Sequence, residues 1–326
     1  MSQAWQLAIC LISAHVCADF VLQTDRALER KKAGVWGNIE HALIHAVCIV
    51  VFLGLHPRSQ ASILGLAVVS VAITHFLIDW IYKRRAETWS GKLAQLAADQ
   101  LLHIIVIVVF VVVVARTGLS LCETAWHRLM SVDLYLTILV HVTGTVLAVW
   151  TGGVVIGIRM KPFQEGLQPQ RDANVISPPL RGFEGAGKLI GQLERFLIFL
   201  FVITNQYTAL GFLITAKTIL RFGEIKTGDT ATAESRKEPE YVLIGTLMSV
   251  AWAVAIGLLA QMLSARILEP SLQATATATT PSTATIRPET ARPSAFTSLP
   301  ATAPSTTSRP VSSPTTATRD SVPASQ

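Results

Sequence analysis

The sequence predicts an all-α protein, a multi-pass transmembrane helical bundle of about seven spans followed by a disordered C-terminal tail. Three observations carry that prediction. Charged residues make up only 15% of the 326 residues, against about a quarter in ordinary soluble domains. Apolar stretches of about 20 residues, the length that crosses a bilayer as helix, recur along the chain. They are too long and too evenly apolar for barrel strands, which alternate over about ten residues. From Glu269 to Gln326 the chain turns to Thr, Ser, Pro and Ala, which bury too little surface to offset the entropy of ordering.

In order, the spans are expected at 5–23, 36–55, 60–82, 93–115, 132–158, 190–220 and 241–265. The start, MSQAWQLAICLIS, has no basic leader and carries His15 and Asp19 within its apolar run, so it reads as a first span and not a signal peptide. Basic residues gather in the first loop (Arg26, Arg30, Lys31, Lys32), the third (Lys83, Arg84, Arg85, Lys92) and the fifth (Arg159, Lys161, Arg171, Arg181, Lys188). The second loop has only Arg58, and the fourth has Arg116 and Arg128. The positive-inside rule then puts the odd loops in the cytoplasm and the N-terminus outside. Seven simple spans would bring the tail inside, but they would place Arg221, Lys226, Arg236 and Lys237 outside. One of the last two segments is therefore expected to be re-entrant or interfacial.

The organisation reads as a four-span unit over 1–131, C-terminal membrane helices with a cytoplasmic loop over 132–268, and the tail over 269–326. The net charge of +6 lies mostly between spans, where it meets anionic lipid headgroups, so lipid and not nucleic acid is the expected partner. Cys10, Cys17 and Cys48 sit inside spans and Cys122 stands alone in a loop, which gives no disulfide framework. Gly153 and Gly157 form a G-x-x-x-G packing face in span five, where His141 has no partner four residues away.

Chemistry concentrates in the first four spans. His15/Asp19, His41/His45, His75/Asp79 and Asp99/His103 are each four residues apart, so each pair shares one helix face about one turn apart. By residue count all four pairs fall within roughly 5–17 Å of the same, basic-loop side. Chance would give fewer than about one histidine in eight such a partner, whereas five have one. Ionisable groups at this depth cost a few kcal/mol and mark cavities or partners. Side chains on facing helices at one level are how bundles build metal sites. Mixed His/Asp donors suit Zn²⁺, Fe²⁺ or Mn²⁺ better than Ca²⁺ or Mg²⁺. The eight residues are the candidate ligands of one or two divalent ions.

Three other motifs are set aside. Glu40 precedes His41 instead of following it, so the H-E-x-x-H protease helix is not formed, and Glu40 stays a candidate base or supporting group. Haem needs axial ligands from opposite sides of the ring, which pairs on one face do not offer, although His45 with His103 could. Gly182–Lys188 satisfies G-x-x-x-x-G-K, but Leu189 replaces the Ser or Thr that a P-loop needs and no strand precedes it, so no nucleotide is expected. Glu194, Arg195, Lys217, Arg221, Glu224, Glu238 and Glu240 read as charges that snorkel to span ends and pair.

The run His15-Val-Cys-Ala-Asp19-Phe-Val-Leu-Gln23, with His41, Thr74-His75-Phe-Leu-Ile-Asp79 and Asp99-Gln100-Leu-Leu-His103, resembles the bacterial membrane family named domain of unknown function 3307. The stretch from Ile190 through Glu194-Arg195 and Gln206-Tyr207 to Thr246 resembles the C-terminal half of its longer members. The resemblance implies a multi-pass protein of the bacterial cell membrane and brings no activity. The expected function is an intramembrane metal-dependent hydrolase of a lipid-linked substrate. The alternatives are a proton or metal-ion transporter and a non-catalytic scaffold.

Overall fold

In the computed structural model the described residues are 2–85, 91–124, 128–173, 185–225 and 237–279. The readings made on Arg181, Gly182–Glu184, Lys226, Arg236 and residues 280–326 fall outside them, and Met1–Thr280 forms one unit.

Helix α1 (Gln3–Cys17) continues through a π-helical turn at Ala18–Leu22. It is followed by α2 (Asp25–Ala33), α3 (Val35–Gly54), α4 (Ala61–Arg85) and α5 (Lys92–Arg116). Leu7, Cys10, Leu11, Ala14 and Ala18 are buried at the three-and-four spacing that gives α1 one continuous apolar stripe. That stripe meets α3 and α5, while α4 closes the ring by packing on both. The short α2 folds back on α3: a Cβ added to Gly37 would stand 2.1 Å from the Arg30 carbonyl oxygen, so only glycine permits this approach.

At the far end of this ring the second and fourth loops are tied together. Ser59 N–H donates to the Cys122 carbonyl (2.8 Å), Thr124 N–H to that of Pro57 (2.9 Å), and Leu121 N–H to Gln3 Oε1 (3.2 Å). His56 is fully buried there, its ring 5.5 Å from that of Tyr135, and its Nδ1 accepts from Arg58 N–H.

The chain continues as α6 (Val132–Val146), a π-helical turn at Leu147–Thr151, α7 (Gly152–Ala173), α8 (Ala186–Ile203), α9 (Tyr207–Ile225) and α10 (Lys237–Thr279). α6 packs on α1 and α10, and α10 also covers α7 and α8. Ser13 accepts from Thr143 across α1 and α6 at 2.7 Å.

Among the described residues six helices are long and apolar enough to cross a membrane: Gln3–Leu22, Val35–Gly54, Ala61–Ile81, Lys92–Arg116, Val132–Glu165 and Glu240–Glu269. Large apolar residues face outward along them, including Val69 (59% exposed) and Val109 (56%), as suits a surface solvated by lipid.

Two expectations need correction. The predicted sixth span over 190–220 is two helices. The chain breaks at the polar run Thr204-Asn205-Gln206, where Asn205 takes a left-handed φ of 59° and Gln206 N–H reaches the Phe201 carbonyl at 2.7 Å. Lys217 Nζ meets Glu194 Oε2 at 2.5 Å, and these two positions are nearly equidistant from the break, so α8 and α9 run back along one another as a hairpin. The last helix also overruns the expected tail boundary at Glu269, staying helical to Thr279. Alternating alanines, the best helix formers, favour that extension, and Pro281 follows close behind.

Candidate metal centre

All eight predicted residues lie on α1, α3, α4 and α5 or on the π-helical turn that extends α1. Asp19 sits on that turn. A π turn widens the helix by one residue and re-aims side chains, a distortion common at functional sites. Its carboxylate points at α3: Oδ1 is 3.1 Å from His41 Nε2 and 2.9 Å from His45 Nε2. The two imidazole nitrogens stand 3.3 Å from one another. Three donor atoms from two helices thus form a near-equilateral triangle. His75 from α4 adds Nε2 at 4.0 Å from the same Asp19 oxygen.

His75 also belongs to a second group, with Asp79 and His103. Its Nε2 is 3.5 Å from Asp79 Oδ2, and its ring centroid is 4.1 Å from that of His103. His103 Nδ1 donates to the Asp99 carbonyl of its own helix (2.8 Å), so in the neutral ring Nε2 is the acceptor. Metal-ligating histidines are commonly oriented by such a bond to a backbone carbonyl. His15 lies beside both groups. Its Nε2 is 3.6 Å from Asp19 Oδ2 and 3.2 Å from Gln100 Oε1, and its ring stacks on that of His103 at 5.2 Å.

The eighth residue is placed differently. The Asp99 side chain is 22% exposed, 3.9 Å from His103 Nδ1, and belongs to neither group. Its neighbour Gln100 turns inward instead, donating from Nε2 to Asp19 Oδ2 at 2.8 Å. Glu40 pairs with Arg30 at 2.9 Å, is 40% exposed, and is part of neither group.

Two contributors escaped the spacing argument. Gln100 is three residues from His103, on the same face, but an amide carries no ligand signal. Lys31 was counted only as an orienting charge. Because α2 folds onto α3, its Nζ reaches Asp79 Oδ2 at 2.6 Å, with the lysine side chain 13% exposed.

The donor set fits a divalent cation. In a tetrahedral shell with zinc–nitrogen bonds of about 2.0–2.1 Å, adjacent donors stand about 3.3 Å apart, close to the edges of the Asp19, His41, His45 triangle. Neither nitrogen of His75 nor Nε2 of His103 has a hydrogen-bond partner, although both rings are buried. Buried polar nitrogens left so are costly unless something fills the space between them. Charge points the same way. Asp19 and Asp79 face one ammonium, Lys31, so neutral imidazoles leave one negative charge uncompensated in a low-dielectric interior.

No curated protein and no solved structure matches the chain. Residues 7–130, which contain α2 to α5, most of α1 and all eight of the predicted His and Asp residues, match the model of the family described as "Protein of unknown function (DUF3307)".

Proposed function

We propose that the cluster is an intramembrane metal site that serves hydrolysis of a lipid-linked or membrane-proximal substrate. The triangle of Asp19 Oδ1, His41 Nε2 and His45 Nε2 carries the reading, since its edges of 2.9, 3.1 and 3.3 Å suit donors that share one ion. His75 supplies the next nearest donor, and Asp79 and His103 suit a second ion or the support of the first. Zn²⁺, Fe²⁺ and Mn²⁺ match these donors. Such an ion lowers the pKa of water bound to it towards about 7 and so supplies a nucleophile at neutral pH. Gln100 holds Asp19 through its amide and accepts from His15, which fixes the carboxylate facing α3. Lys31 offers a cation at the rim for an anionic substrate while holding Asp79.

A site at one end of an apolar ring favours hydrolysis over transport. Beyond the histidines the described core is mostly apolar, with Leu11, Ile49, Leu53, Ile107 and Val111 buried and Gln6 and Ser13 as buried polar residues of α1, so a polar path across the membrane has few groups to use. By the positive-inside rule the cluster faces the cytoplasm. The α8–α9 hairpin supports this orientation, because a segment that returns to its own side brings the end of α9, at Arg221, and the start of α10, at Lys237, to that face.

Elemental analysis of the purified full chain tests the reading. About one to two equivalents of a transition metal are expected in wild type, with most of it lost in Asp19→Asn and His45→Ala and none lost in His141→Ala. A wild-type protein without stoichiometric metal would overturn the site.

A further inference from the structure

The C-terminal helices hold a second polar feature that shares no residue with the histidine cluster. A cavity of about 520 Å³ lies between α7, α8, α9 and α10. The charges around it were expected to snorkel to span ends. Arg195 does not: it is 6% exposed, near the middle of α8, at the inner end of the cavity. The π-helical turn before α7 provides for it, since Arg195 Nε donates to the Val149 carbonyl at 3.1 Å and Trp252 Nε1 donates to that of Leu147 at 2.9 Å. Glycines clear space for the rest of the guanidinium. A Cβ on Gly153 would lie 3.0 Å from Nη2, and one on Gly191 would lie 3.3 Å from Nη1.

A buried guanidinium is costly and pairs with carboxylates, backbone carbonyls or a bound anion, and the Val149 carbonyl takes only its Nε. The nearest carboxylate in sequence, Glu194, is bound to Lys217, and among the described residues Arg195 forms no ion pair. Lys188 stands at the mouth of the cavity, so its lining carries three cations and one carboxylate. Tyr241 adds a donor. Its hydroxyl accepts from Gln164 Nε2 at 2.6 Å, which leaves its own O–H free to donate. Ile190, 55% exposed, lines the same opening, so acyl chains would meet apolar surface beside a cationic floor.

We propose that this cavity binds a phosphate-bearing anion, with the Arg195 guanidinium as its seat and Lys188, Lys217 and Tyr241 around it. Planar guanidinium donors suit phosphate oxygens, and charge-assisted bonds of this kind are about twice as strong as neutral ones. An anionic phospholipid headgroup and a soluble phosphate share this chemistry, and the test separates them.

Native mass spectrometry of the full chain, released from micelles doped with phosphatidic acid or with phosphatidylcholine, is the experiment. Wild type is expected to retain phosphatidic acid at least about tenfold better than phosphatidylcholine, and Arg195→Gln to lose about that preference. Because Arg195 is buried and bonded to the backbone, the exposed Lys188→Gln serves as a second variant, expected to weaken retention severalfold with folding unchanged by circular dichroism. Displacement of the lipid by inorganic phosphate supports a site for the phosphate itself. Failure of phosphate to compete with retained phosphatidic acid supports the headgroup with its chains. Equal retention of the two lipids, or wild-type retention by Arg195→Gln and Lys188→Gln when both are folded, overturns the proposal.

Discussion

Lys31 Nζ lies 2.6 Å from Asp79 Oδ2, joining a short surface helix to a carboxylate that is itself 5% exposed. The contact makes α2 part of the site's architecture, because it neutralises a charge that the apolar interior would otherwise hold unpaired. Breaking such a buried pair by removing one partner costs about 3–5 kcal/mol, mostly through the charge left behind.

Lys31→Met is therefore expected to lower the melting temperature in detergent when the protein is stripped with a chelator. Added Zn²⁺ should recover more of that loss in the variant than it adds to wild type, since a cation near Asp79 replaces the missing ammonium. Thermal scans with and without metal check both arms. An unchanged melting temperature in the stripped variant would show that the pair contributes nothing.

Gly37→Ala should separate α2 from α3. The added Cβ would sit 2.1 Å from the Arg30 carbonyl oxygen, a backbone atom that moves only with its helix. Overpacking of this kind costs about 1–3 kcal/mol, and here it should also raise the rate of limited proteolysis within α2. Cleavage no faster than in wild type would contradict the packing described.

The division between Asp19, Gln100 and Asp99 is also open to measurement. Asp19→Asn should abolish metal binding. Gln100→Ala should weaken it about tenfold while leaving the stoichiometry intact, the usual effect of losing a group that orients a ligand. Asp99→Asn, outside both donor groups, should change affinity little. Competition titrations with a fluorescent chelator give all three values, and a loss in Asp99→Asn equal to that in Asp19→Asn would redraw the site.

His56 gives a pH dependence on the opposite side of the ring. Burial holds its imidazole below the ordinary value, opposed by a bond that the protonated Nδ1 would donate to the Arg58 carbonyl and helped by the Arg58 charge. The folded state thus prefers the neutral ring. That stability is complete above the unfolded pKa of about 6.5 and is lost as pH falls below it. His56→Asn keeps an acceptor for Arg58 N–H but does not titrate. Between pH 7 and pH 5 the wild type should lose more melting temperature than the variant, and equal losses would count against the assignment.

The periodicity of the sequence carried a large part of the fold and of the candidate cluster's geometry. Pairs four apart at His15, His41, His75 and Asp99 named four helices and the face each turns inward. The contacts made by Gln100 and Lys31 were not legible. An amide and a surface lysine have no spacing signature, and Lys31 reaches Asp79 only because glycine at 37 admits a backbone carbonyl. The π turn at Ala18–Leu22 was hidden too, since a one-residue widening leaves the apolar pattern almost unchanged while rotating Asp19 towards α3. The break at Asn205 failed for the opposite reason. Three polar residues inside a long apolar run still average to a span by composition, yet they suffice to stop a helix.

The burial of the cluster has a kinetic consequence. His15, His41, His45, His75 and His103 are each no more than 4% exposed, and α2 with Lys31 lies over the side that the basic loops share. An ion held there would enter or leave as the helices around it part, α2 on α3 among them. Exchange would then follow the opening rate of a helix and not the strength of the ligands. A water-soluble chelator would strip the protein slowly however tightly it binds metal, and occupancy would be fixed by which ion was present as the chain folded.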